Sequence, residues 1–269
     1  MITCKLWAQT GNQAFMCSAA IAHALKMGTT FSIPKKTISP HVWRTYFSHL
    51  PETKSATLHY YKEKRHCYDP LPEVDSLTIE GYFQSERYFD GYKEQIAEAL
   101  GFVHKPEPYV AVHIRRGDYL KYPDQFPVMP IEYYKMAMEF MGGVTNLGYH
   151  RFRIYSDDIK WCKDVFDPKS KLLNYMAFNA PLHIEYSEKK DPLTDMKDMY
   201  NAAAFIIGNS TFSLFPALLR ADNPMVIAPA ENHWPWCGEN GSEAFDLMPE
   251  RFIKINANEL NGISNQIPN

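Results

Sequence analysis

Short apolar blocks, separated by glycine, proline and polar turns, set the elements of this chain. The clearest is YVAVHI at 109–114, an apolar, β-branched run entered through the proline-broken segment 105–108. Such a run reads as a buried strand. Comparable blocks predict strands at 2–7, 151–155, 182–186, 205–208 and 225–228, a short one opening the stretch 76–89, and another at 252–255. Between them lie helical stretches. A small-residue run at 14–26 follows the turn Thr10-Gly11-Asn12-Gln13 and closes at Gly28. Residues 90–100 end at Gly101, and 131–141 start behind Pro130, the position where helices tolerate proline. Further helices are predicted at 159–165, at 196–203 after Asp195, and at 214–220. Residues 29–75, interrupted by Pro34, Pro40, Pro51, Pro70 and Pro72, read as packed loops.

Strands alternating with helices at this spacing, twice over, predict an α/β fold with parallel sheets. The opening strand, glycine turn and helix begin a Rossmann-like unit, although the G-x-G-x-x-G fingerprint is missing. The segment 101–108 is the natural linker. It divides the chain into an N-terminal domain at 1–104 and a C-terminal one at 105–269, whose last residues are expected to fray or to pack back on the first domain. No repeat at a solenoid period is present.

Composition narrows the classes. With 45% hydrophobic and 22% charged residues over 269 positions, the chain can bury a sizeable core, and wholesale disorder is not expected. The net charge of −3 offers no nucleic-acid or polybasic membrane surface, so an anionic ligand has to be met by local cations. Five cysteines, odd in number and without a C-x-x-C pair, argue against a disulfide framework and a structural zinc. Neither a signal peptide nor a run of about 18 apolar residues is evident. These features predict a reduced, soluble, cytoplasmic protein.

The candidate chemistry collects at strand ends, where open α/β sheets bind their ligands. The strand at 109–114 runs into Arg115-Arg116-Gly117-Asp118. Two guanidiniums with donors in a fixed fork suit a phosphate or pyrophosphate. The competing reading is a structural Arg–Asp pair at a strand edge. An adhesion role for the Arg-Gly-Asp triplet is discounted, because it closes a strand and crowns no exposed loop. Ser156-Asp157-Asp158 follows the strand at 151–155 and doubles as a helix cap. Gly208-Asn209-Ser210-Thr211 opens a helix whose free N–H groups make an anion seat, or simply an N-cap cluster. The ten histidines lack i, i+4 pairing, Asp157-Asp158 is not a separated D-x-D, and neither a P-loop nor a G-x-S-x-G elbow occurs. No metal site is therefore expected. A phosphate clamp on a double α/β frame without a P-loop suggests transfer from a nucleotide-activated donor.

HIRRGD at 113–118 matches the H-x-R-R-x-D motif of fucosyltransferases. TGNQAF, GYFQSERYF, IYSDDIKWCK, the pair Asp195-Met196 and GNSTFS follow the same order as in the α-1,2-fucosyltransferase family, which the chain resembles over residues 10–220. The resemblance implies a GT-B-like enzyme, with two Rossmann-like domains facing a cleft, the first (1–104) on the acceptor side and the second (105–269) holding GDP-fucose. It implies inversion without a metal and no cofactor, GDP-fucose being the donor substrate. Arg115 and Arg116 would contact or orient the diphosphate. His113 would sit near the guanine or ribose, Asp195 would accept from guanine, and Ser210, Thr211 and Phe212 would flank the phosphates and fucose. Asn12 would reach across from the first domain. Asp157, Asp158 and Asn209 join this donor set as neighbours at the strand ends. For the base, Asp118 reads better as the partner orienting the arginines, and Asp124 in the following loop is the freer carboxylate. The acceptor implied is a glycan, a terminal galactoside in a surface polysaccharide or lipid-linked precursor, with peripheral contact at the inner membrane face. His59, His66 and Tyr60-Tyr61 are candidates for lining its pocket. Alternatives remain: another nucleotide-sugar transferase on the same frame, or a non-catalytic nucleotide- or glycan-binding module. The chain departs from the family at Ala8-Gln9-Thr10, at Leu214-Phe215 and at Asp198.

Overall fold

A computed structural model describes residues 1–38, 46–144, 150–167, 182–188, 191–234 and 246–258. Cys237, Pro40 and the polar tail after Asn258 lie outside them. Two sheets organise these residues, and every pairing between their strands is parallel. The first holds β1 (Ile2–Cys4), β2 (Phe31–Ser32), β3 (His59–Lys62) and β4 (Leu77–Glu80) in the order β2-β1-β4-β3. The second holds β5 (Glu107–Ile114), β6 (Arg151–Ser156), β7 (His183–Tyr186), β8 (Ala202–Ile206), β9 (Met225–Pro229) and β10 (Ile253–Ile255) in the order β10-β9-β8-β5-β6-β7. Read from β7, that is third, second, first, fourth, fifth, sixth, the Rossmann order. It reverses between β5 and β8, where a crevice opens at the carboxyl ends. The architecture is the α/β, GT-B-like pair of Rossmann-like sheets expected.

Strand β5 is central because its apolar run serves two cores. Alternate side chains point to opposite faces of a strand. Val110, Val112 and Ile114 pack with Tyr133 and Met138 of α3 (Ile131–Glu139) on one face. Tyr109 and Ala111 on the other face join the core containing α1 (Thr10–Lys26) and α6 (Thr211–Leu219). Helix α1 is buried over most of its length, since it lies between the first sheet and α6. Its alanines and serine allow the approach, and Phe15 meets Phe215 at 5.2 Å, edge to face. Helix α2 (Lys93–Leu100) completes this shared core through Ile96 and Leu100. The segment after residue 245 returns to the first half. Asp246 accepts the Tyr68 N–H at 2.9 Å, and Arg251 bonds Glu86 at 2.7 Å.

Several expectations need correction. The turn expected at Thr10–Gln13 is the first turn of α1, and α6 begins at Thr211, three residues before the start expected at 214. The helix predicted at 196–203 is α5, Pro192–Met199, and Ala202 already belongs to β8. Asp191 caps it, accepting the Thr194 N–H at 3.0 Å, and proline stands in its first turn. Beyond Tyr200 the alanines pair with β5, so sheet pairing overrides their helical propensity. The stretch 29–75 is not all loop either: His59–Lys62 is an edge strand beside β4. Helix α4 (Ile159–Val165) falls where the pattern placed it.

Candidate active site

The carboxyl ends of β5, β6 and β8 open into a cleft of about 330 Å³. His113, Arg115, Ser156, Asp157 and Asp195 line it, with Ser210–Phe212 from α6 and Gln9–Gly11 from the start of α1. Two helix N-termini converge here. Gln9 caps α1 without a side-chain hydrogen bond, and neither first turn contains an acid. They are almost in contact: a Cβ on Gly11 would stand 2.6 Å from Phe212 N and 2.7 Å from the Thr211 carbonyl oxygen. Each N-terminus carries roughly half a positive charge. Pressing two together is unfavourable unless an anion lies between or beside them, and Arg115 adds a full cation.

The adjacent arginines have different fates. Arg115 lines the cleft, held by Asp118 at 2.7 Å and by Asp157 at 2.9 Å, with its fork a quarter exposed. Arg116 does not line it. Its guanidinium stacks on Trp161 at 3.6 Å, and its Nε donates to Asp158 at 3.3 Å. Asp158 also caps α4 by accepting the Trp161 N–H at 3.2 Å, so the capping reading holds for this residue. Of the two arginines, Arg115 alone lines the cleft, while Arg116 ties the β5 loop to the β6 loop. Asp157 works with it, accepting the Arg116 N–H at 2.9 Å. Gly117 lets that carboxylate approach, because a Cβ there would lie 2.4 Å from Asp157 Oδ2.

His113 is buried against the Phe212 ring, with centroids 5.1 Å apart. Its Nδ1 has no hydrogen-bond partner among the described residues. Burial, with help from the Arg115 charge, pushes its pKa down to about 3, so the ring is neutral at physiological pH. Asp195 on α5 accepts from Ser187 Oγ at 2.5 Å and lines the cleft beside Pro192. Ser210 caps α6, accepting the Phe212 N–H at 3.3 Å. Asn209 is a brace: its Nδ2 donates to the carbonyls of Pro127 at 2.7 Å and His233 at 2.8 Å. Tyr119, which the sequence did not single out, donates to the Asn209 carbonyl at 3.1 Å.

Three remaining residues sit differently from the set above. Asn12 is in the first turn of α1, but its Oδ1 accepts from Gln84 Nε2 at 2.7 Å, and its neighbours Gln9, Thr10 and Gly11 form the wall. Asp118 is half exposed and engaged with Arg115. Asp124 is exposed in the turn after Tyr122 and lines no part of the cleft. Gln9 and Pro192 were missed; the Asp-Pro pair that starts α5 was the available signal for the second. Among the described residues, no group of three or more His, Cys, Asp or Glu side chains could hold a metal ion. None of their helices is long and apolar enough to cross a membrane. Asp198, where the family resemblance predicts an apolar residue, pairs with Arg153 at 3.2 Å and accepts from Tyr155 Oη at 2.8 Å.

The family model described as Glycosyl transferase family 11 matches residues 35–236. An alpha-1,2-colitosyltransferase of Escherichia coli is 31% identical over 196 residues, 67% of this chain and 63% of that protein. The match thus spans less than two thirds of that relative's length. Among solved structures, POFUT1 in complex with GDP-fucose is 13% identical, with a TM-score of 0.42 over 81% of this chain and 93% of that one. A glycosyl transferase of family 9 from Veillonella parvula DSM 2008 is 9% identical, with a TM-score of 0.42 over 100% of this chain and 90% of that one.

Proposed function

The chain belongs to glycosyl transferase family 11, and from that premise we propose that it is an inverting transferase. In this reading it moves fucose, or a related sugar such as colitose, from a GDP-linked donor to the hydroxyl of a terminal galactoside, forming an α-1,2 linkage in a surface polysaccharide. The observation that carries the reading is the meeting of Arg115 with the N-termini of α1 and α6 around one cleft. As the anomeric carbon separates from the β-phosphate oxygen, charge builds on the departing GDP. Fixed donors aimed at that charge stabilise the transition state more than the ground state. Asp118 and Asp157 orient the Arg115 fork, and His113 offers a neutral, unpartnered nitrogen to the nucleoside. An acceptor hydroxyl attacks the face opposite the leaving group, inverting the anomeric centre. Its proton goes to a carboxylate within reach or to the departing phosphate. Asp118, paired with Arg115, is better suited to orienting than to accepting that proton. Asp124 serves as base only if its loop turns toward the cleft.

The test incubates the protein with GDP-fucose and GDP-colitose against a panel of galactoside-terminated glycans, measuring released GDP and the linkage of the product. Acceptor-dependent GDP release and a 1,2-linked product are expected. Tight GDP binding with no turnover on any glycan would favour a non-catalytic binding module. Because the cations of the clamp come from the protein, activity is expected to survive EDTA. Full dependence on added Mg²⁺ or Mn²⁺ after chelation would show that the clamp does not act alone.

A further inference from the structure

A second cavity, of about 260 Å³, lies at the carboxyl ends of β1, β3 and β4, and the donor cleft leaves it without a role. Trp7, His66 and Tyr82 line it together with Glu63 and Glu80, and the exposed cations Lys62, Lys64 and Arg65 line it as well. Trp7 and Tyr82 stand edge to face with ring centroids 5.3 Å apart, and His66 lies 5.5 Å from Tyr82. The wall is thus an aromatic corner flanked by two carboxylates and three cations.

The carboxylates are held in opposite ways. Glu80 is bound by Lys5, by Lys62 at 3.1 Å and by Tyr60 Oη at 2.6 Å, and these partners, Lys5 foremost, draw its pKa down to about 2. Glu63 has no cationic partner among the described residues. It accepts the Tyr82 N–H at 2.6 Å and the Phe83 N–H at 3.1 Å. A carboxylate oxygen has capacity for further donors after one N–H. Burial raises Glu63 to about 7 despite those two bonds, so its charged form is under-solvated and gains from another hydroxyl donor.

The backbone around the cavity is also constrained. Ala8 and Phe83 hold positive φ angles of 58° and 52°, unusual for residues with side chains, and they neighbour Trp7 and Tyr82 in sequence. Their loops are tied down: Gln13 Nε2 donates to the Ala8 carbonyl at 3.1 Å, and Gln84 Nε2 bridges to Asn12 at 2.7 Å. Backbone strain held by its surroundings clusters at binding sites.

Position decides what the cavity is for. Trp7 lines this cavity, whereas Gln9, two residues on in the same loop, lines the donor cleft. Two residues span at most about 7 Å, on the order of one pyranose ring. The β1–α1 loop is therefore a shared wall.

We propose that this cavity is the acceptor subsite, in which the apolar face of the acceptor's terminal pyranose packs on Trp7 and Tyr82 while Glu63 accepts a hydrogen bond from one of its hydroxyls. The assignment rests on the transfer reading above and adds the residues that choose the acceptor. The β1–α1 loop, with Trp7 on this cavity and Gln9 on the donor cleft, is the structural link between the two.

The test measures acceptor KM, kcat and GDP affinity for the wild type, Trp7→Ala, Trp7→Phe and Glu63→Gln, using GDP-fucose and the best galactoside acceptor of the panel. Thermal melts monitor folding. Trp7→Ala and Glu63→Gln are expected to raise acceptor KM by about tenfold or more, the loss of one good contact, with GDP affinity held. Trp7→Phe keeps an aromatic face and recovers most of the loss. Wild-type transfer with unmoved acceptor KM in Glu63→Gln and in folded Trp7→Ala overturns the subsite alone, as does a parallel loss of GDP affinity; where Trp7→Ala does not fold, Glu63→Gln decides. Absence of transfer by the wild type overturns the activity on which it rests.

Discussion

The carboxyl edges of the two sheets have the same strand polarity and opposite chemistry. At the second sheet Arg115 and two helix N-termini face the cleft, where Asp157 on its wall and Asp118 beside it hold the arginine and Asp195 on its wall accepts from Ser187. At the first sheet the cavity has an aromatic corner beside Lys62, Lys64 and Arg65, and its carboxylates are either neutralised by lysines, as at Glu80, or left with backbone donors alone, as at Glu63. A parallel sheet fixes where a ligand sits, whereas the residues just past each strand decide which ligand it is. An edge built of cations and helix ends selects a diphosphate. One built of rings and an under-solvated carboxylate suits a neutral sugar. The two edges meet at the β1–α1 loop, so a break in either contribution is expected to show in a different kinetic parameter.

The largest effect is expected at Arg115. Arg115→Lys keeps the charge but loses the fork that both aspartates aim, and donor affinity and turnover should fall by about two orders of magnitude. Near-normal turnover of GDP-fucose in that variant would sink the clamp. Gly11→Ala is next. Its Cβ would enter the backbone of α6 at 2.6 Å, which α6 cannot relieve by a side-chain rotation. Overpacking of this kind costs about 1–3 kcal/mol, so the melting temperature should drop and donor KM should rise together. An unchanged melt with normal donor KM would mean that the two helix ends are not held against each other.

Arg116→Lys sharpens the comparison by leaving both sites intact. It removes the stack on Trp161 and the Nε bond to Asp158, at a cost of about 1 kcal/mol in stability. GDP affinity should stay within about twofold of wild type, a difference well under 1 kcal/mol. A loss of GDP affinity as deep as that of Arg115→Lys would return Arg116 to the diphosphate. This divergence shows where sequence reasoning stops. The strand at 109–114 was legible from its apolar run, and the chemistry at its end from the two arginines. Which arginine faces the ligand was not, because Trp161 and Asp158 settle it, and they lie more than 40 positions away. The donor cleft was largely readable because each contribution is a contiguous strand–turn–helix motif. The cavity of the first sheet was not, since Trp7, Glu63 and Tyr82 come from three segments and only His66 among its lining residues had been marked for an acceptor pocket. Helix α5 was misplaced for a local reason: Asp191-Pro192 is a start signal, and the alanines after Tyr200 look helical until β5 pairs with them.

The smallest effect is a pH dependence expected of Glu63 and not of His113. His113, pressed to about 3 by burial and Arg115, stays neutral across the physiological range. This ring should therefore add no slope to the KM for GDP-fucose from about pH 6 to about pH 8. Glu63 differs, since burial, opposed by the Tyr82 and Phe83 N–H groups and aided by the nearby Asp246 charge, raises it to about 7. If its ionised form accepts the sugar hydroxyl, acceptor KM should fall by a few fold as pH rises through about 7, and Glu63→Gln should abolish that slope. The stability sign runs the other way. Above the ordinary carboxylate range the unfolded chain releases this proton while the folded chain retains it, so the contribution of Glu63 to stability declines as pH climbs toward about 7. The melting temperature of Glu63→Gln should accordingly gain on wild type over that interval. Parallel melting curves from about pH 5 to about pH 7, with an acceptor KM that ignores pH, would show that Glu63 is ionised throughout. Glu63 would then be as silent to protons there as His113 is at the second sheet.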